Sequence, residues 1–192
     1  NYPQYENNRG RAGEIVFLLD GKDYRATMKV EQYDYQYGDG DVIVNQSATK
    51  GGGVNLVFMG DCFDARDIAR GSYLNGINEA IGYFFAIEPY KTFMNRFNVY
   101  MVAYESTDEG TDIKSSNIDK NTYFGSYCQG GGNTAAYVAD TAPVIAAVKS
   151  AVGSDNAAYY RSIAILLMNT DEQAGSTGYP FRDYESGWPN GY

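Results

Sequence analysis

The chain has 192 residues with 24 Asp and Glu against 15 Lys and Arg, a formal charge of -9, a pI near 4.4 and no His at all. That balance excludes a nucleic-acid groove and an anionic membrane surface as partners, because both select clustered Lys and Arg, and no run of five basic residues occurs. With 44% hydrophobic and 20% charged residues the composition is that of a globular chain, long enough for one full core or one core plus a small module.

The N-terminal residues, Asn1-Tyr2-Pro3-Gln4-Tyr5-Glu6-Asn7-Asn8, are polar and hold no apolar stretch of signal-peptide type. Residues 14–20 and 24–31 read as two strands joined through Asp20-Gly21-Lys22-Asp23, a hairpin turn pattern between β-rich flanks. Residues 41–45 form a further expected strand after Gly38-Asp39-Gly40. A composition break at Lys50-Gly51-Gly52-Gly53 divides the chain into a small β-rich segment, 1–50, and a larger α/β portion, 51–192.

Beyond that break, residues 54–60 are an apolar run that leaves the sheet at Gly60-Asp61. Asp64 and Asp67 stand where a helix start wants acidic caps, and residues 68–87 carry apolar side chains at helical spacing up to Pro89. Residues 98–104 read as a second strand, 141–152 as a second helix with Pro143 in its first turn, and 162–169 as a third strand. Strand, helix, strand, helix, strand is the alternation of an α/β layer with parallel pairing. Residues 174–181, with two Gly and Pro180, suit an edge strand or a loop, and 185–192 is turn material.

Several features admit a plain and a functional reading. The 19 Tyr suit ordinary sheet faces, and they also suit a recognition surface for sugar or peptide. Cys62 and Cys128 form either one long-range bridge or two buried thiols, the thiols being favoured. No apolar run reaches the length of a membrane-spanning helix. Asp61, Asp64 and Asp67, and again Asp108, Glu109 and Asp112, could offer oxygen to calcium, although capping and a solvated loop account for them without it. Residues 15–21 have the look of the opening of a metal-dependent adhesion domain, but Lys22 and Tyr24 replace the Ser residues it needs. Gly130-Gly131-Gly132 is followed by no Gly-Lys-Ser/Thr and reads as a flexible loop rather than a phosphate cradle. A hydrolase triad lacks its imidazole.

The run Gly53-Val54-Asn55-Leu56-Val57-Phe58-Met59-Gly60-Asp61-Cys62-Phe63 continues into Tyr83-Phe84-Phe85-Ala86-Ile87-Glu88-Pro89-Tyr90-Lys91-Thr92 and Phe97-Asn98-Val99-Tyr100. Together these resemble the IgA-peptidase family of bacterial zinc metallopeptidases, whose members read NLVFMGDGF, then a helix ending in Phe-Phe-x-Ile-Glu-Pro-Tyr-Lys, then a strand with Phe-Asn-Val-Tyr. The likeness extends over roughly residues 50–180, with Thr122-Tyr123-Phe124-Gly125 and Gly130-Gly131-Gly132-Asn133-Thr134 in family order. Cys62 departs from the family Gly, and the HExxH helix, whose two His face one zinc while its Glu polarises the bound water, does not occur in the sequence.

The resemblance implies a zincin-like three-layer α/β catalytic-domain portion, incomplete here, preceded by the small β segment. It implies the N-terminal part of a secreted or cell-surface bacterial zinc endopeptidase acting on protein or peptide, with zinc in a full-length relative but no cofactor and no catalytic residue in this chain. The substrate-binding candidates, by analogy with the zincin edge strand that pairs with an extended substrate, are Gly175, Ser176, Thr177, Gly178 and Tyr179. A missing segment or a partner is expected to cover the unfinished sheet. The alternative is a non-catalytic exported binding or structural module on the same scaffold.

Overall fold

The computed structural model describes residues 12–19, 22–29 and 37–175. The chain separates into two compact units, Asn1–Asp34 and Tyr35–Tyr192. In the first, β1 (Ala12–Leu19) and β2 (Lys22–Lys29) pair antiparallel with Leu19 opposite Lys22, the hairpin expected from the Asp20-Gly21 turn pattern.

The second unit is built on a four-stranded sheet. Its strands are β3 (Val42–Gln46), β4 (Val54–Asp61), β5 (Phe97–Val102) and β9 (Ser162–Met168), in the spatial order β3-β5-β4-β9. β4 runs parallel to both β5 and β9, and β3 closes one side antiparallel to β5. The expected division at residue 50 therefore differs from the unit boundary after Asp34, because β3 exchanges its backbone hydrogen bonds with β5, beyond the glycine run.

β4 is the centre of the molecule, and its alternation explains the layers. Leu56 and Phe58 point into one core with Ile68, Tyr73, Ile77, Phe85, Val99 and Met101, while Val57 and Met59 point into the other with Val102, Phe124, Val144, Ala147, Val148 and Tyr159. A strand buried on both faces reads as a continuous apolar run, which is the pattern of residues 54–60. Helices α1 (Ala65–Arg70) and α2 (Ser72–Ala86) cover the first face. Helices α3 (Ala142–Val152) and α4 (Asn156–Tyr159) cover the second. The result is the three-layer α/β arrangement expected.

At the amino ends of the parallel strands a polar row fixes the register. Asn98 of β5, Asn55 of β4 and Ser162 of β9 are direct neighbours, with Asn98 Nδ2 donating to Asn55 Oδ1 at 2.8 Å and Asn55 Nδ2 to Ser162 Oγ at 3.3 Å. A slip by one residue would leave these buried amides without partners and turn every core side chain to the wrong layer.

Two elements differ from expectation. The helix expected over 68–87 is two helices, because Gly71 at φ +83° ends α1 in the left-handed cap conformation and opens α2. The segment expected as a flexible glycine loop is a hairpin turn. Gly130, Gly131 and Gly132 all have positive φ and join β7 (Ser126–Gly130) to β8 (Asn133–Val138), which with β6 (Asp112–Ile113) form a separate three-stranded sheet.

Candidate functional site at the carboxyl ends of the strands

In an open α/β sheet the connections leave a crevice where neighbouring strands are followed by crossovers to opposite sides. Here that point lies at the end of β4. The chain leaves β4 through α1 and α2 to reach β5 on one side, and β9 arrives on the other side after α3 and α4. The residues that follow are Asp61, Cys62, Phe63 and Asp64 from β4, Ser106 from β5, and Asn169 to Glu172 from β9.

Asp61 is wholly buried and accepts five hydrogen bonds. Oδ1 takes Ser106 Oγ at 3.1 Å and the Phe124 amide at 3.1 Å. Oδ2 takes Thr122 Oγ1 at 3.1 Å, the Ser126 amide at 3.0 Å and Ser126 Oγ at 2.6 Å. Cys62 follows in the left-handed conformation at φ +70°, its amide donating to Ser106 Oγ at 3.1 Å and its Sγ 3.4 Å from Ser126 Oγ. Gly enters that conformation without the strain a side chain meets there. Burial, followed by the neighbouring Asp61 charge, pushes the Cys62 thiol up to about 11, so it stays protonated and is no nucleophile at neutral pH. Cys62 and Cys128 are both free, buried thiols.

Asp64 and Asp67 form a capping box at α1, as the sequence suggested. Asp64 Oδ1 takes the amides of Arg66 and Asp67 at 2.8 and 3.0 Å, and Asp67 Oδ2 takes the Asp64 amide at 3.2 Å. Burial opposes ionisation of Asp64, but hydrogen bonds from the Arg66 side chain and the two amides outweigh it and hold the carboxyl below its ordinary range. Asp67 moves the other way, raised by burial and then by the Glu109 and Asp64 charges. Glu105 is likewise raised by burial and then by Asp39 and Asp64. The carboxyl-end face thus carries negative charge that its own groups feel.

Beside β9 lies an open depression of about 340 Å³, lined by Glu109, Thr111, Ile118, Lys120, Asp171 and Glu172 among others. On the β5 side, Tyr104 and Tyr123 stack at 4.1 Å with their rings 17° apart, and both meet Phe124 edge-on. Of the substrate-binding candidates, Gly175 donates its amide to the Thr134 carbonyl of β8 at 2.8 Å, so that amide is already committed. Ser176, Thr177, Gly178 and Tyr179 lie outside the described residues.

Among the described residues no three His, Cys, Asp or Glu side chains gather as a metal site. Of the acidic residues the sequence offered there, Asp61 is saturated by five hydrogen bonds, Asp64 is held by Arg66 and the α1 amides, and Asp67 Oδ2 takes the Asp64 amide and Asn169 Nδ2. Zinc prefers nitrogen and sulfur donors, and with no imidazole in the 192 residues and both thiols buried, these groups do not fit a catalytic zinc. Calcium fits no better, since it needs six or more free oxygen donors. No described helix is long and apolar enough to cross a membrane.

A sheet with parallel central strands between two helical layers, with a polar crevice at the strands' carboxyl ends, defines a three-layer α/β domain. Residues 42–185 match the family model described as IgA Peptidase M64, which is more than half of the chain, so the protein belongs to that family. No curated protein matches the chain. Membership makes this a metallopeptidase-like domain and implies zinc in related full-length proteins and protein as the substrate class.

Proposed function

We propose that these 192 residues supply the scaffold and the substrate side of a secreted bacterial zinc metalloendopeptidase, and that the polypeptide by itself does not hydrolyse peptide bonds. The observation that carries the reading is the combination of the family match over 42–185 with a sequence that contains no His to ligate a hydrolytic zinc. An extended polypeptide would pair with Gly175, Ser176, Thr177, Gly178 and Tyr179, the segment that follows β9 in sequence. Zinc and the water it activates would come with the family's HExxH residues, which are not in this sequence.

The test is metal analysis and proteolysis on one preparation. After dialysis against zinc the protein is expected to hold far less than one ion per chain and to leave protein substrates, immunoglobulin included, uncut. Stoichiometric zinc with chelator-sensitive cleavage would overturn the reading. Export is tested by fractionating the source cells, where recovery in the cytoplasm counts against it.

A non-catalytic binding module is the second reading, favoured by apolar side chains exposed around the end of α2: Tyr83, Ile87, Tyr90 and Phe93. A parent reading frame containing HExxH supports the peptidase, and one without it supports the module.

A further inference from the structure

Among the described residues, every hydrogen bond that the Asp61 side chain accepts comes from residues 106–126, the stretch that leads from β5 to the β6–β8 sheet. Five donors on two oxygens saturate a carboxylate, and none of them is a cation. Other ties between this stretch and the residues around the end of β4 are single contacts: the Cys62 amide donates to Ser106 Oγ at 3.1 Å, Cys62 Sγ lies 3.4 Å from Ser126 Oγ, and Arg66 pairs with Glu109 at 3.3 Å. Ser106 and Gly110 donate their amides to the carbonyls of Phe63 at 2.8 Å and Cys62 at 3.0 Å, and Phe124 packs into the second core. Strands β6, β7 and β8 pack chiefly on one another and on the turn that follows β6.

We infer that Asp61 is the positioning residue for one wall of the carboxyl-end crevice. It fixes residues 106–126, and behind them the β6–β8 sheet, against the end of the central strand. The depression beside β9 has Glu109, Gly110, Thr111, Ile113, Ile118 and Lys120 on this wall and Asn169 to Glu172 on the other, so the position of the wall sets its width. What the wall does for a substrate rests on the peptidase reading; that Asp61 holds it does not.

Asp61→Asn keeps the shape but brings an NH2 group against the Ser126 amide, donor facing donor. Hydrogen exchange at the Phe124 and Ser126 amides is expected to quicken by about tenfold or more, while the Val57 and Phe58 amides within β4 keep their protection. The near-UV circular dichroism, to which the Tyr104–Tyr123 stack contributes, should weaken in parallel, and the retained protection of the β4 amides separates this from general loosening. Ser126→Ala, which removes one donor and leaves the amide, should give a smaller rise at the same two amides and serves if Asp61→Asn fails to fold. Exchange that rises equally in β4, or amides of 124 and 126 left unchanged in both variants, would overturn the assignment. Binding of a peptide cut from a protein substrate separates the two claims: a wall that loosens without loss of affinity keeps Asp61 in its role and counts against the peptidase reading.

Discussion

Cys62 occupies a backbone conformation that a side chain enters only at a cost of about 1–2 kcal/mol. Its buried thiol and its contact with Ser126 return part of that. Cys62→Gly is therefore expected to change stability by no more than about 1 kcal/mol, the relief of strain offsetting lost burial and the extra freedom of Gly in the unfolded chain. Cys62→Val brings a β-branched side chain to the same φ and should cost about 2 kcal/mol or more. Chemical denaturation of the two variants checks both, and a Val variant as stable as the Gly variant would mean that the backbone there is not held left-handed. The partners of Asp61 lie 45 to 65 residues away in sequence, which is why the sequence shows Asp61 as a strand-exit residue and not as an anchor. Legibility at the residue scale extends to local partners: the Asp64 and Asp67 caps are three residues apart and could be read directly.

At the scale of elements, two glycines with similar φ separate strain from space. A methyl group at Gly71 would meet nothing within 4 Å, so Gly71→Ala should cost only the conformational term, about 1 kcal/mol. A methyl group at Gly130 would run into Ser115 Oγ and Ile113 Cγ2 as well, so Gly130→Ala should cost more than about 2 kcal/mol and loosen the β7–β8 turn. Thermal melts of the two variants, with equal losses as the contrary result, decide the point. The strands β3, β4, β5 and β9 were legible because each is an apolar run bounded by turn residues, and β4 and β5 carry the family motifs. Strands β7 and β8 were not, since Ser126-Tyr127-Cys128-Gln129-Gly130 and Asn133-Thr134-Ala135-Ala136-Tyr137-Val138 are polar, short and glycine-flanked, and pair with each other across a turn whose positive φ values no periodicity reveals. The break at Gly71 was hidden because apolar spacing continues across it from Ile68 to Ile77, both of which reach the same core.

For the whole molecule, the groups buried between the layers determine its response to alkali. Cys62 binds its proton more tightly when folded, about 11 against an ordinary 9.0, and Tyr73, buried with its hydroxyl donating to the Val102 carbonyl at 2.6 Å, is raised further above its ordinary 10.0. A folded-state value above the unfolded one stabilises fully below the unfolded value and is lost as pH climbs through the folded one. Stability is therefore expected to hold to about pH 9 and to fall from there through pH 11, with Cys62→Gly flattening the first part of the decline. Denaturant midpoints measured from pH 7 to 11 test this, and a flat profile would show the thiol to be more hydrated than its burial allows. The three-layer architecture itself was legible from the alternation of strand and helix. The crevice was legible only as a position, because its walls are assembled from loops that no motif marks.

The pairing of β4 with β9 also has a cost in time. Asp61 finds its neighbour Met168 only after the intervening chain has left the ribosome, and at about 5–20 residues per second that is a delay of roughly 5–20 s. Throughout it β4, seven of whose eight residues end up buried, has a partner on one edge at most, and the face destined for α3 and α4 is bare. The order of synthesis, rather than the final fold, thus sets how long the nascent chain exposes this apolar surface to aggregation.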